Sequence, residues 1–233
     1  MAAATGRLRR QSLTAGIAER RIRARHGKRL RQNQYERRYA SLGPQEVDFD
    51  VDKDVKINVK GYPACKAGKR ETRDPGAAMK ACGDTVLGKG KADVEIAFPE
   101  QKPIKVPSPL TIFNGGEKGG KITLYFHIFI TVPAPTAVVT TITISRKGTG
   151  LHSVAKIPVI AGSSGSLIDF NFTLGKTYTY KGKKVGYFEA KCPDGVFKVN
   201  VPKVLFKNEA QTPGVAAMTV LKGGLAVPCT PEG

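Results

Sequence analysis

Ten short strand-like runs, separated by turn residues and with no helical period between them, constrain the fold of this sequence more than any other feature. In order they are DVEIAF, LTIF, KITLYFHIFITV, AVVTTITIS, SVAKIPVIA, SLIDFNFTL, KTYTY, VGYFEAKC, VFKVNVPKVLF and VAAMTVLKGGLAV. Their regular spacing, and turn signals such as Asn114-Gly115-Gly116, predict antiparallel pairing. About ten strands of this kind predict a mainly β chain folded as an antiparallel β-sandwich. KITLYFHIFITV is apolar at nearly every position, which places it mid-sheet with both faces covered. The 26 Gly and 15 Pro, with no Trp, agree with many turns, and 233 residues at 40% hydrophobic content are enough for a substantial core.

Ahead of these runs, VDFDVDKDVKINVKG alternates Val47, Phe49 and Val51 with Asp48, Asp50 and Asp52, then turns at Lys53-Asp54 and resumes with Val55, Ile57 and Val59. The period of two predicts two short strands, or one bent strand, with one buried and one exposed acidic face. The Asp run resembles the start of a calcium loop, but Lys53 stands where that loop needs Gly and Val59 where it needs Glu. In DPGAAMKACG, Asp74 as cap, Pro75 at the first helical position and Gly83 as terminator predict one short helix.

The formal net charge of +19 is unevenly spread. Residues 1–42 hold twelve basic groups, almost all Arg, against two acidic ones, and the rest of the chain uses mostly Lys. The composition breaks at Ser-Leu-Gly-Pro, dividing the chain into a basic, helical or disordered arm over 1–44 and a folded domain over 45–233. Apolar residues in the arm are too sparse for a packed helical stripe. Its arginines, Arg20, Arg21, Arg23, Arg25, Arg29 and Arg31 among them, are the candidate anion-binding groups, and nucleic acid is a partner only through them.

Cys65, Cys82, Cys192 and Cys229 are too far apart for a Cys-x-x-Cys metal or redox motif, and three His give little material for a zinc site. An even number at long spacing fits two disulfides and an oxidising compartment. Three pairings can be drawn. Cys65–Cys82 with Cys192–Cys229 is favoured because each pair flanks one local unit, the first closing a loop of about 17 residues. No run of about 18 apolar residues is present to span a membrane, and Arg or polar residues interrupt every apolar run from Met1 to Gly43, so no export signal is visible.

Few residues read as chemistry. AGSSGS lacks the second Gly of a nucleophile elbow and precedes a strand instead of a helix, so it reads as a loop. No phosphate-cradling P-loop occurs, and nothing calls for a cofactor or metal. His127 and His152 are the two histidines in strand context, each a general base in principle and a satisfied structural residue by default. Glu95 with Glu189, or Asp169 with Asp194, form no pair that spacing supports. The stretch YTYKGKKVGYFEAKCPDG interleaves aromatics with lysines. It reads as a hairpin with Lys181-Gly182-Lys183-Lys184 at its tip, Phe188, Ala190 and Cys192 facing the core, and Tyr187, Glu189 and Lys191 on the other side.

The order GYPACKAG, MKACGDTVLGKGKADVEIAFP, LTIFNGG, YTYKGKKVGYFEAKCPDG and CTPEG, running from about Val47 to Cys229, resembles a group of uncharacterised secreted or envelope-associated β-sandwich proteins of actinobacteria. The resemblance implies export and disulfide formation, and carries no activity, ligand or catalytic residue with it. Tyr62 stands where Leu is common in that group, and the arginine-rich segment replaces an export signal and a first strand. The expectation is therefore a non-enzymatic, disulfide-stapled module of the cell exterior, structural or binding in role, with a cell-envelope component as partner. The alternatives are binding of nucleic acid or an anionic polymer by the arm of a cytoplasmic protein, and a hydrolase whose site the sequence hides.

Overall fold

The computed structural model of the chain describes residues 43–51, 53–66, 74–98, 102–193, 195–206 and 219–228. The six candidate arginines and the arm as far as residue 42, together with Asp194 and Cys229, lie outside the described residues. Within them the chain is mainly β. Nine antiparallel strands form one curled sheet in the order β13-β12-β1-β7-β6-β5-β4-β3-β8, and two ribbons of two strands, β10-β9 and β11-β2, stand apart. The strands are β1 (Glu46–Val51), β2 (Val55–Ile57), β3 (Val86–Ile96), β4 (Ile104–Lys118), β5 (Lys121–Ile130), β6 (Thr136–Lys147), β7 (Gly150–Lys156), β8 (Gly165–Leu174), β9 (Thr177–Tyr180), β10 (Lys183–Gly186), β11 (Phe188–Ala190), β12 (Val196–Phe206) and β13 (Thr219–Pro228). Gly43, at the entry to β1, abuts Ser166 of β8, so that a Cβ added there would lie 3.0 Å from the serine Cβ. β1 and β8 are six places apart in the strand order, and only a curled sheet brings them together.

The apolar strand β5 lies inside the sheet, as its composition requires. Leu124, Tyr125, Phe126, His127 and Ile128 are buried in succession, although neighbouring residues on a strand point to opposite faces. On the concave face, Leu124, Phe126, Ile128 and Ile130 join Val94, Ile96, Leu110, Ile112, Val138, Leu151 and Leu167 in the main core. On the opposite face Tyr125 packs with Phe113, Cys65, Ala78 and Cys82 in a second, smaller core. Helix α1 (Pro75–Cys82) closes that face. Its cap is Asp74, whose carboxylate accepts from Gly76 N (3.0 Å) and Ala77 N (3.2 Å) as the sequence predicts. Gly83 terminates the helix as predicted, staying right-handed (φ −62°) as its C-cap and opening a 3₁₀ turn over Gly83–Thr85. The Cys65–Cys82 disulfide fastens the helix to the loop before it.

Several local expectations change in the fold. Asn114-Gly115-Gly116 is no turn: β4 runs on to Lys118 through a bulge between Asn114 and Gly116, and the chain reverses at Gly119-Gly120, both at positive φ. The β4–β5 register begins at Leu110, so Pro107 and Pro109 pair only with β3 and their missing N–H groups interrupt no second ladder. The acidic side of β1 is half-buried and engaged, Glu46 with Lys203, and Asp50 with His152 and Lys147. The hairpin of the lysine-rich stretch is shorter than expected. Lys181-Gly182 alone makes its turn, β10 ends at Gly186, and the following residues leave to pair with β2. That break reverses the face assignment at one position: Tyr187, expected outside, is 0% exposed.

Gly88 and Gly90 on β3 pair with Leu174 and Phe172 of the adjacent strand β8, where a Cβ on Gly90 would sit 2.1 Å from the Asn171 carbonyl oxygen and 2.7 Å from the Phe172 Cα. Gly90→Ala is expected to destabilise the domain by about 2 kcal/mol, within the range found for overpacked sites, read as a lowered urea midpoint at unchanged slope.

A cleft beside a tyrosine–asparagine knot

Four segments remote in sequence meet on one side of the molecule: residues 58–65, the β4 bulge at 113–116, the β9 strand and the break at Gly186–Phe188. Their junction is Asn114, which is fully buried and hydrogen-bonded through both ends of its side-chain amide. Its Nδ2 donates to Pro63 O (2.7 Å), and its Oδ1 accepts from Tyr187 Oη (2.7 Å) and Gly116 N (2.9 Å). Its carbonyl accepts from Cys65 N (2.8 Å). A bulge rather than a regular ladder is what turns Asn114 inward to make these bonds. Tyr62, Tyr178 and Tyr187 pack edge to face, with ring centroids 5.1 Å and 5.2 Å apart for the two pairs that include Tyr62.

The outer tyrosines hold the approaching chain. Tyr62 Oη donates to Val86 O (2.8 Å), and Tyr178 Oη lies 2.9 Å from Lys60 O and 3.1 Å from Asn58 O. Asn58 answers with its Nδ2 on Gly186 O and its N–H on Tyr187 O, both at 2.8 Å. Burial pushes all three phenols above their ordinary range, Tyr187 furthest, so they stay neutral donors at physiological pH. At Gly61 (φ +80°) an added Cβ would meet the Tyr180 ring at 2.2 Å, so the ring lies directly on the glycine. Lys181 Nζ sits 5.7 Å from the centroid of the same ring.

Against this knot lies a cleft of about 390 Å³ lined by Val59, Lys60, Tyr62, Gly116, Glu117 and Lys118 among others. Gly115 and Gly116 of the bulge line it together with the apolar Val59 and Ala64, and its charged groups are two lysines and one glutamate, with Thr123 beside them.

No family model, curated protein or solved structure matches the chain. Its reading therefore rests on the residues themselves.

Of the residues singled out in the sequence, Cys65 and Cys82 are bonded to each other, and Cys192 is disulfide-bonded as well. His127 is 2% exposed with the edge of its ring toward Phe113, out of reach of any substrate. His152 is at the surface, its Nδ1 2.6 Å from Asp50 Oδ1. Glu95 stands across from Lys105 and Ser166 in the large sheet, whereas Glu189 lies in the β11–β2 ribbon and pairs with Lys56; Asp169 stands across from Asp93, and Asp194 lies outside the described residues. AGSSGS is a 3₁₀ turn over Ala161–Ser163 leading into β8, a connecting loop as read. Sequence reasoning missed Asn114, Tyr187, Lys60 and Lys118.

Proposed function

We propose that the chain is a secreted or envelope-associated binding module, its curled sheet folded over the core as a β-sandwich, that holds an anionic envelope polymer in the cleft beside the knot. The observation that carries this reading is the cleft itself, with Lys60 and Lys118 against a single Glu117 and with Lys181 on the adjoining Tyr180–Gly61 contact. A disulfide suits an oxidising compartment, and the resemblance to exported actinobacterial proteins points the same way. A cleft set on a cross-linked, fully hydrogen-bonded support loses little freedom when a ligand binds, which favours recognition over motion.

Titration calorimetry with soluble polyphosphate, and with uncharged dextran as control, tests the reading. Binding to polyphosphate alone, weakening as salt rises, is expected. Lys60→Ala combined with Lys118→Ala should lower affinity about tenfold, the effect of losing one or two charge-assisted contacts. Lys198→Ala, on β12, should bind like the parent. Equal losses in both variants, or no heat with polyphosphate, would sink the proposal.

A further inference from the structure

The outer face of the sheet carries a second arrangement that owes nothing to the cleft. Asp50 on β1 stands directly across from His152 on β7, and His152 directly across from Ser145 on β6. Residues opposite each other in an antiparallel ladder share a face, so the three side chains form one row across three adjacent strands. The row lies on the face away from the main core. Its neighbours Ile144, Leu151 and Ser153 are buried, while Asp50, His152 and Ser145 are half-buried.

The row has the polarity of a nucleophilic site. Asp50 Oδ1 accepts from His152 Nδ1 at 2.6 Å, and Lys147 Nζ donates to the other carboxylate oxygen at 3.2 Å. Those two partners, the His152 hydrogen bond foremost, hold the Asp50 carboxyl below its ordinary range, so it is an anion at neutral pH. An anion on Nδ1 fixes the tautomer that carries its proton there and leaves the Nε2 lone pair as the base. Ser145 stands opposite His152 on β6, on the strand next to β7 that lies away from Asp50, so the hydroxyl and the imidazole share one face of the sheet. The neighbouring outward hydroxyls of β6 belong to Thr141 and Thr143, which lie opposite Lys156 and Val154 and not opposite the histidine.

From this row the geometry points to a hydrolytic site for small carboxylic esters, with Ser145 as nucleophile, His152 as general base and then acid, and Asp50 as the group that orients it. Ser145 Oγ adds to the ester carbonyl carbon as its proton passes to His152 Nε2. The bond from that carbon to the alcohol oxygen then breaks, the leaving oxygen taking the proton from Nε2 and leaving an acyl-Ser145. Water adds to the acyl carbon, gives one proton to Nε2, and displaces Ser145 Oγ, which recovers that proton as the carboxylic acid departs. Side-chain exposures of 30% for Asp50 and 24% for His152 let an ester reach the row from bulk solvent.

The full chain is tested in two ways. Peptide mapping after treatment with a fluorophosphonate should place the adduct on Ser145, and p-nitrophenyl acetate should be turned over many times per chain rather than once. Ser145→Ala and His152→Ala should each lower that turnover at least about a hundredfold with the circular dichroism spectrum unchanged. Asp50→Asn should lower it about tenfold or more while Ser145 remains the labelled residue. The cleft variant Lys60→Ala/Lys118→Ala should keep parental turnover, which separates this site from the proposed binding function. An adduct anywhere but Ser145, or parental turnover in Ser145→Ala, overturns the assignment, and the mapping on the unmutated chain decides the matter even if a variant fails to fold.

Discussion

Tyr187→Ala is expected to cost about 4 kcal/mol of folding stability, the upper part of the range for removing a large aromatic from a packed interior. Tyr187 is 0% exposed, with ring centroids 5.2 Å from Tyr62 and 4.9 Å from Phe188, so truncation empties the centre of the knot. It also strips Asn114 Oδ1 of one of its two donors inside a buried site. Tyr187→Phe separates the two effects. It keeps the packing and loses only the hydroxyl, at an expected cost of about 1–2 kcal/mol for the unpaired acceptor. Urea titration of both variants reads the difference directly. If the alanine and phenylalanine variants lose the same stability, ring packing contributes little and the hydrogen bond alone holds the junction.

Replacing Cys65 and Cys82 together by alanine should remove about 3 kcal/mol, as estimated for freeing a loop of this size in the unfolded chain. The sequence separation is 17, and the two cysteines are 3% and 1% exposed against Phe113 and Tyr125. The loss should therefore be local as well as global. Hydrogen exchange at the amides of α1 should quicken more than at those of β12, because α1 is anchored mainly through this bond and the small core. Uniform quickening across the domain would mean that the bond acts only on the unfolded state.

The two variants probe features of unequal visibility in the sequence. Helix α1 and its cap were legible because Asp-Pro-Gly and the following residues act through bonds three or four positions apart. Strand β5 was legible too, since a run apolar on every position has no face to give to water. The β-rich class followed from period two and turn spacing. By contrast, Asn-Gly-Gly is among the stronger turn signals, yet in β4 it forms a bulge, because β5 continues alongside and Tyr187 arrives from more than seventy residues away to bond Asn114. The hairpin extrapolated past Gly186 failed for a related reason. β2 offers its edge to Phe188–Ala190, and that competition breaks the strand and turns Tyr187 inward.

His127 and His152 make the same point for the candidate sites. Both are lone histidines in strand patterns, and local sequence treats them alike. One is buried against Phe113 of the small core, and the other meets Asp50 across a strand pair a hundred residues apart in the chain. The row through Ser145 exists only in the register of β1, β7 and β6.

By itself, then, the sequence determined the secondary-structure class, the placement of helix α1, the central position of β5 and the candidate disulfide cysteines, because short-range patterning and hydrophobic periodicity act within a few residues. The tertiary structure alone decided the single curled sheet, the inward turn of Asn114 and Tyr187, the cleft and the Asp50–His152–Ser145 row. Each of those depends on which strands become neighbours and in what register, and a shift of one residue in register exchanges the two faces of a strand.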